Sequence, residues 1–299
     1  MQGLVNTLKQ KLARNESTLG LWVTLESPTV TEIATILGFD WVVIDAEHGH
    51  LDFKDIMEHV RVTRDSGTTA LVRIQELEMG VIKRVLDVGA DGIMIPNIAT
   101  ADEARQAVQF AKYPPWGVRG VGGERATQWG MQLKEYTQVA NHEIMVIPMI
   151  ESVAGGRVAA EIASVRGVDA IFFGPVDFSA SAGYIGQWEG PGVAQQILDA
   201  KDAILAQGVP CGMTATDLDD IKTRDQQGFR MISLGAETGM LIKAMRAGLA
   251  AKAKPAASAP AVDGDGKGTS RLPETPRGTK SENGATAARR GPSQELSRE

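Results

Sequence analysis

Eight short apolar runs, each separated from the next by a longer stretch, recur along the first 250 or so residues. They lie at 20–25, 41–45, 69–74, 92–97, 144–151, 170–177, 210–214 and 231–235. Most are continuous rather than alternating, the pattern of strands buried on both faces. The stretches at 28–37, 53–66, 79–88, 101–112, 154–164 and 192–207 carry helical patterns. One helix start is explicit, where Thr100 is followed by Asp102 and Glu103. Eight β/α units in this length is the count of a (β/α)8 barrel. An open doubly wound sheet is the rival, but no GxGxxG follows the first run. The chain is therefore predicted to be an α/β protein, a (β/α)8 TIM barrel over residues 1–250.

From residue 251 to 299 the composition shifts to Pro, Ala, Gly, Ser and charges of both signs. Such a segment buries too little surface to offset its ordering entropy, so it reads as a disordered tail. Asp263, Asp265 and Glu274 in this tail imitate a calcium loop, but Lys267 stands at the fifth position and the flanks are not helical.

Composition removes several classes of function. A net charge of −6 gives no basis for nucleic-acid or anionic-membrane binding. No apolar stretch approaches the roughly twenty residues of a spanning helix. The first eleven residues read as an amphipathic helix without the apolar core of a signal peptide. The single cysteine, Cys211, permits no internal disulfide. These features point to the cytoplasm. Cys211 opens the seventh run and is expected to be a buried, inert thiol.

In a barrel the C-terminal strand ends form the active face. The runs offer there Trp22 and Glu26, then Asp45, Glu47 and His48, Arg73, Asn97, Glu151, Asp177, Thr214 and Glu237. Glu151 and Asp177 end consecutive runs. Two carboxylates on neighbouring strands suit a hard divalent cation, Mg2+, Mn2+ or Co2+, with positions left open for water and substrate. Asp45 stands three residues before His48, so its carboxylate is expected to orient the imidazole as a base. Arg73 places a cation in the mouth, suited to a carboxylate or an enolate, or to an ion pair with Asp45. His59 and His142 read as surface or packing residues, and His50 as solvent-facing. The Gly/Arg-rich loop at 114–125, with Arg119 and Arg125, reads either as a site-shaping segment or as a surface connection.

Five segments in this order resemble the HpcH/HpaI aldolase family of the pyruvate/phosphoenolpyruvate barrels, which includes macrophomate synthase-like and 2-keto-3-deoxy sugar acid aldolases. They are Asp45-Ala46-Glu47-His48, Leu86-Asp87-Val88-Gly89-Ala90, Tyr113-Pro114-Pro115-Trp116-Gly117-Val118-Arg119-Gly120, Pro148-Met149-Ile150-Glu151-Ser152 and Gly174-Pro175-Val176-Asp177. The resemblance spans about 20–239. It implies a class II, metal-dependent pyruvate aldolase that cleaves a 4-hydroxy-2-keto acid reversibly to pyruvate and an aldehyde. It further implies that Glu151 and Asp177 hold the metal and that Arg73 stabilises the enolate. His48, paired with Asp45, would move protons together with a metal-bound water, which Glu47 would partner. Trp22 would line the pocket, and backbone amides around Gly174, Pro175 and Val176 would receive the pyruvate carboxylate. A homo-oligomer, as large as a hexamer, is implied as well. No lysine stands at an obvious inner strand position for a Schiff base, which favours the metal route. Met149, Gln75 and Phe178 depart from the residues common in the family, and they bear on the substrate. Alternatives are an oxaloacetate decarboxylase or related lyase using the same enolate site and, more remotely, a non-catalytic binding or assembly barrel.

Overall fold

A computed structural model describes residues 5–253 of the 299-residue chain. The strands are β1 (Thr18–Val23), β2 (Trp41–Asp45), β3 (Thr69–Arg73), β4 (Gly92–Ile95), β5 (Met145–Ile150), β6 (Ile171–Phe173), β7 (Cys211–Thr214) and β8 (Met231–Ala236). All pair in parallel, in sequence order, and β8 closes on β1. The helices are α1 (Thr7–Ala13), α2 (Pro28–Leu37), α3 (Phe53–Thr63), α4 (Met79–Asp87), α5 (Ala101–Ala111), α6 (Leu133–Glu143), α7 (Val153–Arg157), α8 (Ala159–Ala163), α9 (Pro175–Ser181), α10 (Ala194–Leu205), α11 (Leu218–Gln226) and α12 (Glu237–Ala253). The eight-stranded barrel expected from the apolar runs is the fold.

Two apolar layers result from strand alternation. One lies between strands and helices, where Ile44, Val72 and Ile93 meet Ile56 and Ile82. The other fills the barrel, with Trp41, Leu71, Met94, Ile147 and Phe172 among its members. Large and small residues alternate there. A Cβ at Gly20 would lie 2.1 Å from the Trp41 ring, so only glycine leaves room for that indole. Leu8 and Leu12 of α1 join the same inner cluster. Asn6 caps α1 and donates to the Asp91 and Glu143 carbonyls, both at 3.1 Å. The N-terminal helix thus closes the barrel opposite the strand tips, which leaves the C-terminal face as the open mouth.

Three expectations change. The sixth strand stops at Phe173, and Asp177 lies in the first turn of α9 rather than on a strand tip. Pro175 at the first helical position fixes φ near its helical value and lacks the N–H a further ladder bond would need. The helix expected at 154–164 is two short helices, α7 and α8, with non-helical Val158 between them. The adjacent Gly155 and Gly156, poor helix formers, precede that break. At the C-terminus, α12 continues to Ala253, three residues past the expected domain boundary. The rest of the tail, including the calcium-loop mimic, lies outside the described residues, as do residues 1–4. Among the described residues no helix is long and apolar enough to cross a membrane.

Candidate active site

Parallel pairing of β2 with β3 sets Asp45 opposite Arg73 at the strand ends. Arg73 Nε donates to Asp45 Oδ1 at 2.9 Å and Nη2 to Oδ2 at 2.6 Å. Both side chains are buried. The guanidinium also lies 4.6 Å from the centre of the Trp22 ring, a cation–π contact across the barrel mouth. Nη1 stands 2.9 Å from Glu47 Oε2. The angle there is not that of a hydrogen bond, so Glu47 Oε2 is buried without a hydrogen-bond donor. Burial alone would lower the Arg73 pKa, but Asp45, Glu47 and Glu151 outweigh it and hold the guanidinium above its ordinary value.

This geometry bears out the expected Arg73–Asp45 ion pair and corrects the expected Asp45–His48 dyad. The Asp45 carboxylate is taken up by Arg73, and it meets His48 only through the backbone, accepting from the Glu47 and His48 N–H groups at 3.1 and 3.2 Å. A bidentate guanidinium contact outcompetes a single imidazole bond for the same two oxygens. Asp45 therefore shapes the turn that carries His48, and the His48 side chain is exposed at the mouth.

Glu151 follows β5 directly and is 5% exposed. Its Oε2 accepts from the Asn97 N–H at 2.7 Å. Asn97 adopts φ +56°, a conformation that asparagine tolerates better than most residues, and this turns its N–H onto the carboxylate. Glu151 Oε1 lies over Gly174, where an added Cβ would approach it to 2.5 Å. Gly174 caps α9, so the glutamate is packed against the start of the helix that carries Asp177. Burial pushes the Glu151 carboxyl above the usual carboxylate range; the Asn97 N–H opposes this, while Glu47 and Asp177 add to it. Burial likewise raises Glu47, with Arg73 and His48 opposing and Asp45 and Asp177 adding.

The charge of Asp177 thus acts on both Glu47 and Glu151, and Arg73 is the cation beside those two glutamates. Such a donor set fits a hard divalent cation. Its carboxylates repel, and one buried oxygen lacks a donor. Among the described residues no three His, Cys, Asp or Glu side chains form a ready cage. A cation held by the two carboxylates of Glu151 and Asp177 would keep coordination positions open, as substrate binding requires.

The expected carboxylate cradle also shifts. The Gly174 N–H donates to the Ile150 carbonyl at 3.2 Å and is spent on the sheet, and Pro175 has no N–H. Val176 remains, in the first turn of α9, where an N–H has no partner within the helix.

Other candidates fall outside the mouth. Arg119 is buried and bonded to Asp87 at 2.8 Å, with its guanidinium 4.7 Å from the Tyr113 ring. Arg125 Nη1 donates to the Val88 carbonyl at 2.8 Å. Asp87 and Val88 end α4, at the opposite end from the strand tips, so the 114–125 loop is pinned there and does not reach this chain's site. His59 is packed at 0% exposure, with Nδ1 2.7 Å from Thr31 Oγ1. His142 lies edge-on to Trp116, and His50 is exposed. Cys211 is buried, and burial pushes its thiol pKa well up, as an inert thiol requires.

Two contacts of the site carry no local sequence signal. The stacking of Trp22 on Arg73 joins β1 to β3, and the Asn97 N–H reaches Glu151 across 54 positions of chain.

Residues 18–244 match the family described as HpcH/HpaI aldolase/citrate lyase. The hydroxypyruvate/pyruvate aldolase of Delftia acidovorans is 36% identical over 251 residues, covering 83% of this chain and 93% of that protein. The 4-hydroxy-2-oxovalerate aldolase of Rhodococcus jostii is 34% identical over 247 residues, covering 81% and 94%. A crystal structure of an HpcH/HpaI aldolase/citrate lyase family protein from Burkholderia cenocepacia superposes with a TM-score of 0.80 at 34% identity, covering 84% of this chain and all of that one.

Proposed function

This chain belongs to the HpcH/HpaI aldolase/citrate lyase family and is a carbon–carbon lyase with aldolase activity; we propose that it cleaves 4-hydroxy-2-keto acids reversibly to pyruvate and an aldehyde with the help of a divalent cation. The observation that carries this reading is the convergence of Arg73 with Glu47, Glu151 and Asp177 at one end of the barrel. Carbon–carbon cleavage leaves a pyruvate enolate, and its charge needs stabilisation at the oxygen. Glu151 and Asp177 would hold Mg2+, Mn2+ or Co2+, which when bound supplies Lewis-acid stabilisation of that oxygen. Arg73 adds a fixed positive charge. Two of its five N–H groups are bonded to Asp45, and Nη1 stands beside Glu47 without a hydrogen bond, so N–H groups remain for the enolate. Trp22 lines the pocket beneath the guanidinium, with Pro175 and Val176 at its rim. The Val176 N–H is the donor left for the pyruvate carboxylate. His48, exposed on the turn that Asp45 holds, takes the proton from the 4-hydroxyl. Glu47, short of a hydrogen-bond donor on Oε2, would partner a water in that transfer.

The resemblance to aldolases extends the reading to a homo-oligomer, a hexamer in its fullest form. Met240, Leu241, Ile242, Met245 and Leu249 of α12 are exposed in the single chain, as an interface helix would be.

The test is pyruvate release from a panel of 4-hydroxy-2-keto acids, with Mn2+ and after EDTA. Release with metal and none with chelator is expected. Full activity in chelator overturns the metal requirement. Oxaloacetate turnover without any aldol cleavage would instead favour the decarboxylase.

A further inference from the structure

Glu237 is buried at the mouth, and nothing in the aldol chemistry above uses it. It opens α12, directly after Ala236, which pairs with Trp22 in the β8–β1 register. Its side chain points back to the end of β1. One oxygen, Oε1, accepts from the Thr24 N–H at 2.6 Å, the Leu25 N–H at 2.6 Å and the Thr24 hydroxyl at 3.1 Å. The other, Oε2, is buried without any partner, and the residue is 5% exposed.

These donors matter because of where they sit. Thr24 and Leu25 are the first residues after β1 ends at Val23. Their N–H groups leave the sheet here, and Glu237 supplies the acceptor that buried backbone donors need. Trp22 lies two residues before Thr24, and its ring carries the Arg73 guanidinium. The link thus runs from Glu237 through the backbone of 24–25 to Trp22, and from Trp22 to the cation that Asp45 and Glu47 also grip. The β1 register shifts between Gly20 and Trp22, so the ladder to β8 alone leaves the Trp22 end less constrained.

We propose, resting on the pyruvate-enolate reading of the site, that Glu237 is a positioning residue: it acts as a hydrogen-bond acceptor that holds the end of β1 so that Trp22 faces Arg73. All three donors meet Oε1, so the contact requires an acceptor oxygen at that place. Glutamine at this position keeps that oxygen. Leucine removes it while filling similar space.

The test compares full-length wild type with Glu237→Gln and Glu237→Leu. Three quantities are read: the rate of pyruvate C3 proton exchange, the Kd for Mn2+, and the NMR shift of the Arg73 Nε–H, assigned with Arg73→Lys. An aromatic face over the guanidinium displaces that shift by ring current. Glu237→Leu is expected to slow the exchange kcat at least tenfold and to move the Nε–H toward the ordinary arginine position, with the Mn2+ Kd within about twofold of wild type. Glu237→Gln is expected to stay within about threefold of wild type in exchange and to leave the Nε–H in place. Wild-type exchange in Glu237→Leu overturns the proposal, as does an Nε–H that does not move. If Glu237→Leu does not fold, Glu237→Gln decides alone, and a loss of tenfold or more in it overturns the acceptor role. Should the wild type exchange no pyruvate protons at any metal concentration, the enolate reading fails. The Nε–H shift then still tests whether Glu237 sets the Trp22–Arg73 contact.

Discussion

Arg73 and Asp45 face each other across the β2–β3 register, and the aspartate grips the guanidinium with both oxygens, at 2.9 and 2.6 Å. The pair fixes the cation in the barrel mouth. It also means that Asp45 serves His48 through the shape of a turn and not through an imidazole hydrogen bond.

Arg73 is expected to be irreplaceable by lysine. Lysine keeps the charge but has no planar fork for Asp45, no third arm for Glu47 and no flat face for Trp22. Arg73→Ala should lower pyruvate C3 proton exchange by about 10²–10³-fold, in line with the loss of one fixed oxyanion stabiliser. Arg73→Lys should recover less than tenfold of that loss. Exchange kinetics under saturating Mn2+ check both variants, and a fully active Arg73→Lys would show that charge alone suffices.

Glu151→Gln should separate stability from metal binding. The amide oxygen still accepts from Asn97, so the turn at 97 is kept. Removing a buried carboxylate repelled by Glu47 and Asp177 should raise the melting temperature of the metal-free protein by a few degrees. The same change should weaken Mn2+ binding at least tenfold, as should Asp177→Asn. Calorimetry and Mn2+ titration by electron paramagnetic resonance read the two effects, and unchanged Mn2+ affinity in both variants would remove these residues from the metal site.

Asp91 is expected to make the barrel less stable at neutral pH. It lies at the closed end, accepting from the Ala70 N–H at 2.8 Å, and burial pushes its carboxyl up to about 6 while Ala70 and Arg125 oppose the shift. The unfolded chain releases that proton near 3.8. Between those values the native state binds more protons than the unfolded one, so stability falls as pH rises through the window, and the cost is complete above it. A shift of this size is worth about 3 kcal/mol. Asp91→Asn keeps an acceptor for Ala70. It is expected to be more stable than wild type at pH 7.5 and to differ little near pH 4. Urea unfolding at the two pH values measures this, and equal gains at both would assign the effect to something other than titration.

The barrel was legible in the sequence because its strands are buried on both faces and its helices carry caps. The Thr100–Glu103 capping box stands where the start of α5 was read. The acids at the strand tips were legible too, since Glu151 ends an apolar run. Phe172 and Phe173 lead toward Asp177 and suggest a strand tip there, yet the intervening Pro175 marks a helix start. The sequence offers Asp45 two partners, His48 three residues on and Arg73 28 residues on, and the structure holds the second. Strand register decides between them and leaves no local trace. Glu237 is legible as an acid after the eighth run, while its contacts with Thr24 and Leu25 depend on β8 closing against β1.

The central claim is that this chain forms a pyruvate enolate with a divalent cation at Glu151 and Asp177. Deuterium incorporation at pyruvate C3, followed by proton NMR in D2O without any aldehyde, measures that step alone. Exchange is expected with Mn2+, is expected to stop in EDTA, and should return when metal is restored. It should also be lost in Arg73→Ala under saturating metal. Exchange that persists undiminished in chelator, or that never occurs with any of Mg2+, Mn2+ or Co2+, would contradict the claim.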